Sequence, residues 1–194
     1  MNYGAKNAYW APFDTENDDA MPTYGTATKF TGINESNDTL NFASASGYGD
    51  NAELIEINEF SNGEIEAKAV EIETTLAAAI YDADTDDDGG IAYGTEDNPP
   101  FGGYGFISNR MDASKNKFYE VIFYPKVCGS PESKSYKTKE DGYTLVYDSV
   151  KFKVYKANNN KYKITKQFSS ESEALTYLAG LFTGTSTVPG EATA

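Results

Sequence analysis

Asp84, Asp86, Asp88, Gly89 and Ile91 fall at positions 1, 3, 5, 6 and 8 of a calcium-binding EF-hand loop, where alternate oxygens surround the ion and the glycine turns the chain. The end of the motif departs from the pattern: Thr95 stands at position 12, Glu96 arrives one residue late, and Pro99 and Pro100 oppose an exit helix. Asp84, Asp86 and Asp88 are therefore candidate Ca2+ ligands in a broken motif, and a solvated acidic loop at a subunit contact is the competing reading. Other chemistry is scarce. The chain has no histidine, which removes Ser-His-Asp and Cys-His nucleophile schemes and the usual zinc ligand together. Among thirty carboxylates no spacing singles out a glycosidase-like pair. Gly102-Gly103-Tyr104-Gly105 leads into a strand and lacks the phosphate-binding helix of a nucleotide loop. Cys128 is the single cysteine, so no intrachain disulfide is possible, and its expected state is a buried or inert thiol in a reducing compartment. These features predict no catalytic residues, no enzyme activity and no cofactor beyond the candidate Ca2+.

The elements that carry these residues read as strands. Seven prolines, seventeen glycines, fifteen tyrosines and eleven phenylalanines point to a β-rich, turn-rich chain. Its centre is a hairpin over residues 102–127. Phe106, Ile107 and Met111 lead into the turn residues 112–116, and the return strand is apolar on both faces. Phe118, Ile122 and Tyr124 lie on one side, with Tyr119, Val121 and Phe123 on the other, so both need cover. Pro125 is expected to end the pairing or mark an edge.

Upstream, an aromatic strand (Tyr9, Trp10, Phe13) precedes an acidic loop over 14–19. Two short strands within 24–42 are separated by the polar cluster 34–38, and a loop covers 43–51. Asn62-Gly63 predicts a tight turn between strands 54–60 and 64–72, and a parity shift after Ala69 predicts a bulge. Residues 74–81 predict a short helix, and 82–100 a long loop with a short strand at 91–93. Downstream come a polar excursion over 129–142, a strand over 143–155, a turn at 158–160, and a return strand through Tyr162, Ile164 and Phe168, read as a second hairpin. Ser170 and Glu173 predict a capping box opening an amphipathic helix over 171–181, with Leu175, Leu178, Leu181 and Phe182 on one face. The expected fold class is mainly β: a β-sandwich or partly open barrel of two sheets with one or two short α-helices. Residues 1–182 form one domain and 183–194 a flexible tail. No apolar run reaches the ~20 residues of a membrane span and the start lacks a signal peptide, so a soluble protein that stays where it is made is expected.

Charge is uneven. Residues 1–100 hold 21 acids and three bases, a net of 3 − 21 = −18; residues 101–194 hold nine acids and thirteen bases, or +4. An acidic half joined to a mildly basic half favours head-to-tail contact between copies, and the balance opposes a protein that grips nucleic acid.

The strand Gly103, Tyr104, Gly105, Phe106, the polar turn after it, and Phe123-Tyr124-Pro125-Lys126-Val127 resemble the major tail proteins of long-tailed phages that infect Gram-positive bacteria. Further pieces fall in that family's order: Tyr3-Gly4, Tyr48-Gly49-Asp50-Asn51 and Asn62-Gly63-Glu64-Ile65-Glu66 upstream, Thr138-Lys139 and the segment 168–175 downstream. The resemblance spans residues 3–181 and rests on the order of the pieces. It implies a phage tail-tube fold and a structural virion protein whose copies close into hexameric rings that stack head to tail, the conduit for DNA ejection. DNA would pass through without specific binding. The implied partners are further copies of the chain, a tape-measure protein, a tail terminator and distal tail proteins. The implied location is the virion tail, after assembly in the host bacterial cytoplasm, with no membrane involved. An acidic lumen would repel phosphate, and Glu64, Glu66, Glu71 and Glu73 are the candidates to line it. The loop 82–100 and both termini are the expected arms to the next ring. The alternative is a carbohydrate- or calcium-binding β-sandwich module that uses exposed aromatic rings or the Asp84–Asp86–Asp88 loop.

Overall fold

The structure, a computed structural model, describes residues 1–49, 52–131 and 146–189, with side chains described except at 47–49 and 52–55. In chain order the described elements are β1 (Asn2–Thr15), β2 (Thr23–Tyr24), β3 (Thr28–Lys29), β4 (Thr31–Gly49), β5 (Ala52–Glu71), α1 (Thr74–Tyr81), β6 (Asp84–Thr85), β7 (Ile91–Ala92), β8 (Phe101–Met111), β9 (Lys117–Ser130), β10 (Asp148–Tyr155), β11 (Ile164–Phe168) and α2 (Glu171–Thr183). The fold is mainly β, with two antiparallel sheets of very different size and two short helices. The large sheet runs β2-β1-β8-β9-β10-β5-β4, with β3 added on β1 and β11 on β9; β6 and β7 form a separate ribbon.

Two apolar faces on one strand organise this sheet. Val121 and Phe123 of β9 point into a core shared with Ile107 and the α2 residues Leu178, Leu181 and Phe182. Ile122 and Tyr124 point the other way, into a larger core with Trp10, Phe30, Tyr104, Ile65, Phe152 and the α1 residues Leu76 and Ile80. The sheet curls so that β4 comes back beside β1, a partly open barrel around the larger core. Where it crosses, the Tyr104 hydroxyl donates to Ser36 Oγ at 3.1 Å. On the outer side α2 sits close because Gly105 has no side chain: a Cβ there would lie 2.7 Å from both Leu178 and Phe123.

The central hairpin β8–β9, its turn and helix α1 form as expected. Several boundaries differ, each for a physical reason. Pro125 ends nothing. It lies where β9 changes partner, from β11 (residues 119–123) to β10 (residues 126–130), and opposite a register shift between Gly102 and Tyr104. A missing N–H is tolerated at such a junction, and the Pro125 carbonyl accepts from the Tyr24 hydroxyl at 2.8 Å. The polar cluster 34–38 is a strand, not a turn, and β4 continues through most of the expected loop. Asn62-Gly63 makes no turn either: β5 is continuous, and Gly63 is required because its Cβ would meet Leu40 Cδ2 at 2.7 Å and Thr39 O at 3.0 Å. A register shift beside it leaves Ser61 unpaired.

The irregularity expected after Ala69 lies on the partner strand, where Asn34 is the extra residue, and Val70 faces outward. β10 and β11 are no hairpin. Both pair with β9, one after the other along the same edge, so residues 156–163 form an excursion between them. Ser170 is the N-cap residue of α2 but makes no side-chain capping bond; its Oγ contacts Ser172 Oγ at 2.8 Å instead. The segment after α2 docks as far as Val188, which is buried, while the Tyr177 hydroxyl donates to the Thr187 carbonyl at 3.0 Å. The polar excursion after Gly129 lies largely outside the described residues, and so does Thr138-Lys139.

Candidate functional site

The longest feature without internal cover is the far part of the β4–β5 pair. β10 accompanies β5 only from Gly63 to Ala69; beyond Gly63, β5 pairs with β4 alone. The two strands stay paired from Leu40↔Gly63 to Gly49↔Ala52, with register shifts between Asn41 and Phe42 and between Gly47 and Tyr48, roughly 30 Å of two-stranded ribbon at the usual rise per residue. Both faces of this arm are exposed where side chains are described, from Asn41 to Ser46 and from Glu56 to Glu59. Phe42 and Ile57 are 50% and 60% exposed, large apolar side chains that a finished surface would cover.

The root of the arm is braced. Tyr162, from the excursion between β10 and β11, stacks on Phe60 with centroids 4.1 Å apart, and Phe42 packs edge-on against both rings. Lys156 pairs with Glu59 at 3.4 Å, and the Asn41 amide donates to Asn62 Oδ1 at 2.8 Å. Nearby, Lys163 bonds Asp38 at 2.6 Å and lies over the Tyr124 ring. Burial pushes the Asp38 carboxyl up, but the hydrogen bond and charge of Lys163, with a bond from the Tyr124 hydroxyl, outweigh it and hold the group below its ordinary value. Burial, then the Asp38 charge, push the Tyr124 hydroxyl far up, so it stays a donor.

Between residues 30 and 67 the sequence carries eight acids and no base. The proposed lumen residues are not one acidic face. Glu64 and Glu66 lie on the outer face of β5, directly opposite Lys153 and Lys151 of β10. Lys68 bridges Glu35 at 3.1 Å and Glu66 at 3.4 Å. The Glu35 carboxyl is lowered, by the Asn37 hydrogen bond first and then Lys68, and the Lys68 ammonium is raised, first by its bond to Glu35. Glu71 closes β5 opposite Thr31, and Glu73 stands at the N-cap of α1; both are exposed.

Asp84, Asp86 and Asp88 do not converge. Asp86 Oδ1 accepts the amides of Gly90 (2.6 Å) and Asp88 (3.1 Å), which shapes the β6–β7 turn, and Gly89 takes a positive φ of 84° there. Asp82 and Asp97 also cap backbone amides of the same loop. Among the described residues no group of three or more His, Cys, Asp or Glu side chains is arranged to hold a metal ion. The single tryptophan, Trp10, is buried in the larger core and offers no exposed platform for a sugar ring. Cys128 Sγ contacts the Pro99 carbonyl at 3.3 Å, and burial raises its thiol above the ordinary value, against nucleophilic use. The expected arms also differ from the one observed. The loop 82–100 holds itself with internal bonds, and the Met1 amino group donates to the Met111 carbonyl at 2.7 Å.

Sequence reasoning missed the arm because exposed strands carry no period-two apolar pattern; the base-free run between Lys29 and Lys68 was the available signal. No helix among the described residues is long and apolar enough to cross a membrane. No family model matches the chain, and no curated protein matches it.

Proposed function

We propose that the chain is a structural subunit that assembles with copies of itself into stacked hexameric rings, the tail tube of a long-tailed phage and conduit for its DNA. The observation that carries the reading is the β4–β5 arm. A two-stranded ribbon is at best marginally stable alone, and this one presents Phe42, Ile57 and an unpaired β4 edge to solvent among the described residues. Such an edge invites a further strand or a neighbouring surface, and a closed ring supplies one to every copy. The base-free arm suits the lysine-bearing half of a neighbour, through Lys115, Lys117, Lys161 and Lys166. The order of sequence pieces shared with the tail-tube family supports the same reading. By that resemblance the tube surrounds a tape-measure protein and meets terminator and distal tail proteins at its ends, in the virion tail.

The test is negative-stain electron microscopy over a concentration series of the intact chain and of a variant with residues 42–61 replaced by a two-residue turn. Rings or hollow tubes from the intact chain and dispersed particles from the variant are expected. Equal tube growth by both would sink the arm's role, and dispersed intact chain at every concentration, with added tail terminator as nucleator, would sink the tube.

A further inference from the structure

A groove of about 650 Å3 lies between α2 and the corner where β1 passes towards β2. One wall is a single helix face, since Leu175, Leu178, Ala179 and Phe182 recur at i, i+3, i+4 and i+7; half-buried Leu175 and exposed Ala179, one turn apart, give it open surface, while Leu178 and Phe182 are buried in the second core. The facing wall contains Tyr9 and Ala27. The Tyr24 ring closes the bottom, edge-on to Phe123 and Phe182 at 5.7 Å each.

Asp14 lines the same groove. The corner beyond it adds Glu16, Asp18 and Asp19, and against these four acids residues 9–29 offer one base, Lys29, which lies over the Tyr9 ring at 6.0 Å. Lys126 neutralises Glu16, whereas Asp14, Asp18 and Asp19 have no ion pair among the described residues. The result is a groove with an apolar helix wall, Asp14 in its lining, and two further acids without an ion pair among the described residues, Asp18 and Asp19, on the segment that follows. An occupant must cover apolar surface and bring cations to those acids.

The geometry points to a basic amphipathic segment of a partner protein as the occupant, its apolar side chains on the α2 face and its Lys or Arg residues against Asp14, Asp18 and Asp19. This is the helix-in-groove mode of recognition. The arm of a second copy does not fit the role, because its strands carry acids and no base, and like charges facing each other oppose docking. The inference is independent of tube assembly and holds for single chains in solution.

The probe is a short fluorescent Leu/Lys amphipathic peptide, titrated into the intact chain by anisotropy at about 0.15 M salt, where distant surface charges are screened. Ala179 is exposed on the groove wall, so Ala179→Trp fills the groove without entering the core. That variant is expected to weaken binding about tenfold or more, and Asp14→Asn with Asp18→Asn about three- to tenfold. The control pair Asp87→Asn with Asp88→Asn, in the β6–β7 ribbon, leaves binding unchanged. Unaltered binding by Ala179→Trp overturns the proposal. Equal loss from both aspartate pairs reveals only general attraction to an acidic chain and overturns it too, as does absence of peptide binding to the intact chain.

Discussion

Gly63 separates two explanations of the dipeptide Asn62-Gly63. If the pair made a turn, both residues would matter through their backbone angles. In the structure the glycine matters more, because Thr39 O, a backbone atom that cannot swing aside, lies 3.0 Å from where a Cβ would stand, whereas Asn62 supplies one solvent-exposed side-chain bond to Asn41. Gly63→Ala is expected to cost about 1–3 kcal/mol by overpacking, and Asn62→Ala, an exposed change, no more than about 0.5 kcal/mol; urea denaturation of the two variants checks the contrast. Asp38 is the second informative residue. Its carboxyl is held below its ordinary value in the folded chain by Lys163 and Tyr124 despite the opposing effect of burial. The stabilisation is thus complete above the unfolded value near 4 and is lost as pH falls through the lower native value. Asp38→Asn should therefore lose about 1–2 kcal/mol at pH 7, the partial exposure of the pair keeping the figure modest. The gap to the parent should close in denaturation curves taken at progressively lower pH; a gap independent of pH would remove the ion pair as its cause.

At the scale of elements, α2 and the segment after it act as one unit. The Thr185 and Ser186 amides both donate to the Gly180 carbonyl, Ser186 Oγ donates to the Tyr177 carbonyl, and Val188 is 7% exposed in the second core. A chain ending at residue 184 loses these bonds, leaves the half-buried Tyr177 hydroxyl without its acceptor, and opens a hole where Val188 packed. A loss of about 2–4 kcal/mol is expected in thermal or urea unfolding; an unchanged midpoint would mean the docking contributes nothing. The sequence announced elements wherever period and burial agreed: the two-faced strand at 118–127, the alanine-rich α1 and the apolar face of α2 were all legible. It misled where a residue type has two physical uses. Gly63 served close approach and not a turn, Pro125 marked a change of partner and not an end, and the polar residues 34–38 stayed extended because Ser36 and Asp38 find partners across the barrel. Docking of Val188 was not legible, since one apolar residue in a polar stretch shows no period.

For the whole molecule, the division of charge and the division of structure coincide. The base-free run contains the arm, while among the described lysines of the second half Lys115 and Lys117 lie at the β8–β9 turn, Lys151 and Lys153 on β10, and Lys156, Lys161 and Lys163 on the excursion that braces the arm. Within one chain some of that attraction is already used, as in Lys156–Glu59 and Lys163–Asp38 at the arm's root. Beyond that root the ribbon's sequence carries acids and no base. The candidate calcium ligands and lumen acids were legible as residues, but their arrangement was not: Asp86 is turned onto the backbone amides of Asp88 and Gly90, and Glu64 and Glu66 face lysines of β10.

Cys128 gives the molecule a built-in clock. It is the chain's one thiol, it sits opposite Phe101 at the start of β8, and its sulfur rests on the carbonyl of Pro99. The thiol is partly exposed in the folded chain, so lifting of the strap that joins the β6–β7 ribbon to β8 would raise the rate of labelling by a thiol reagent above that of the closed form, a readout that needs no engineered probe. A partner that grips that strap would slow the clock.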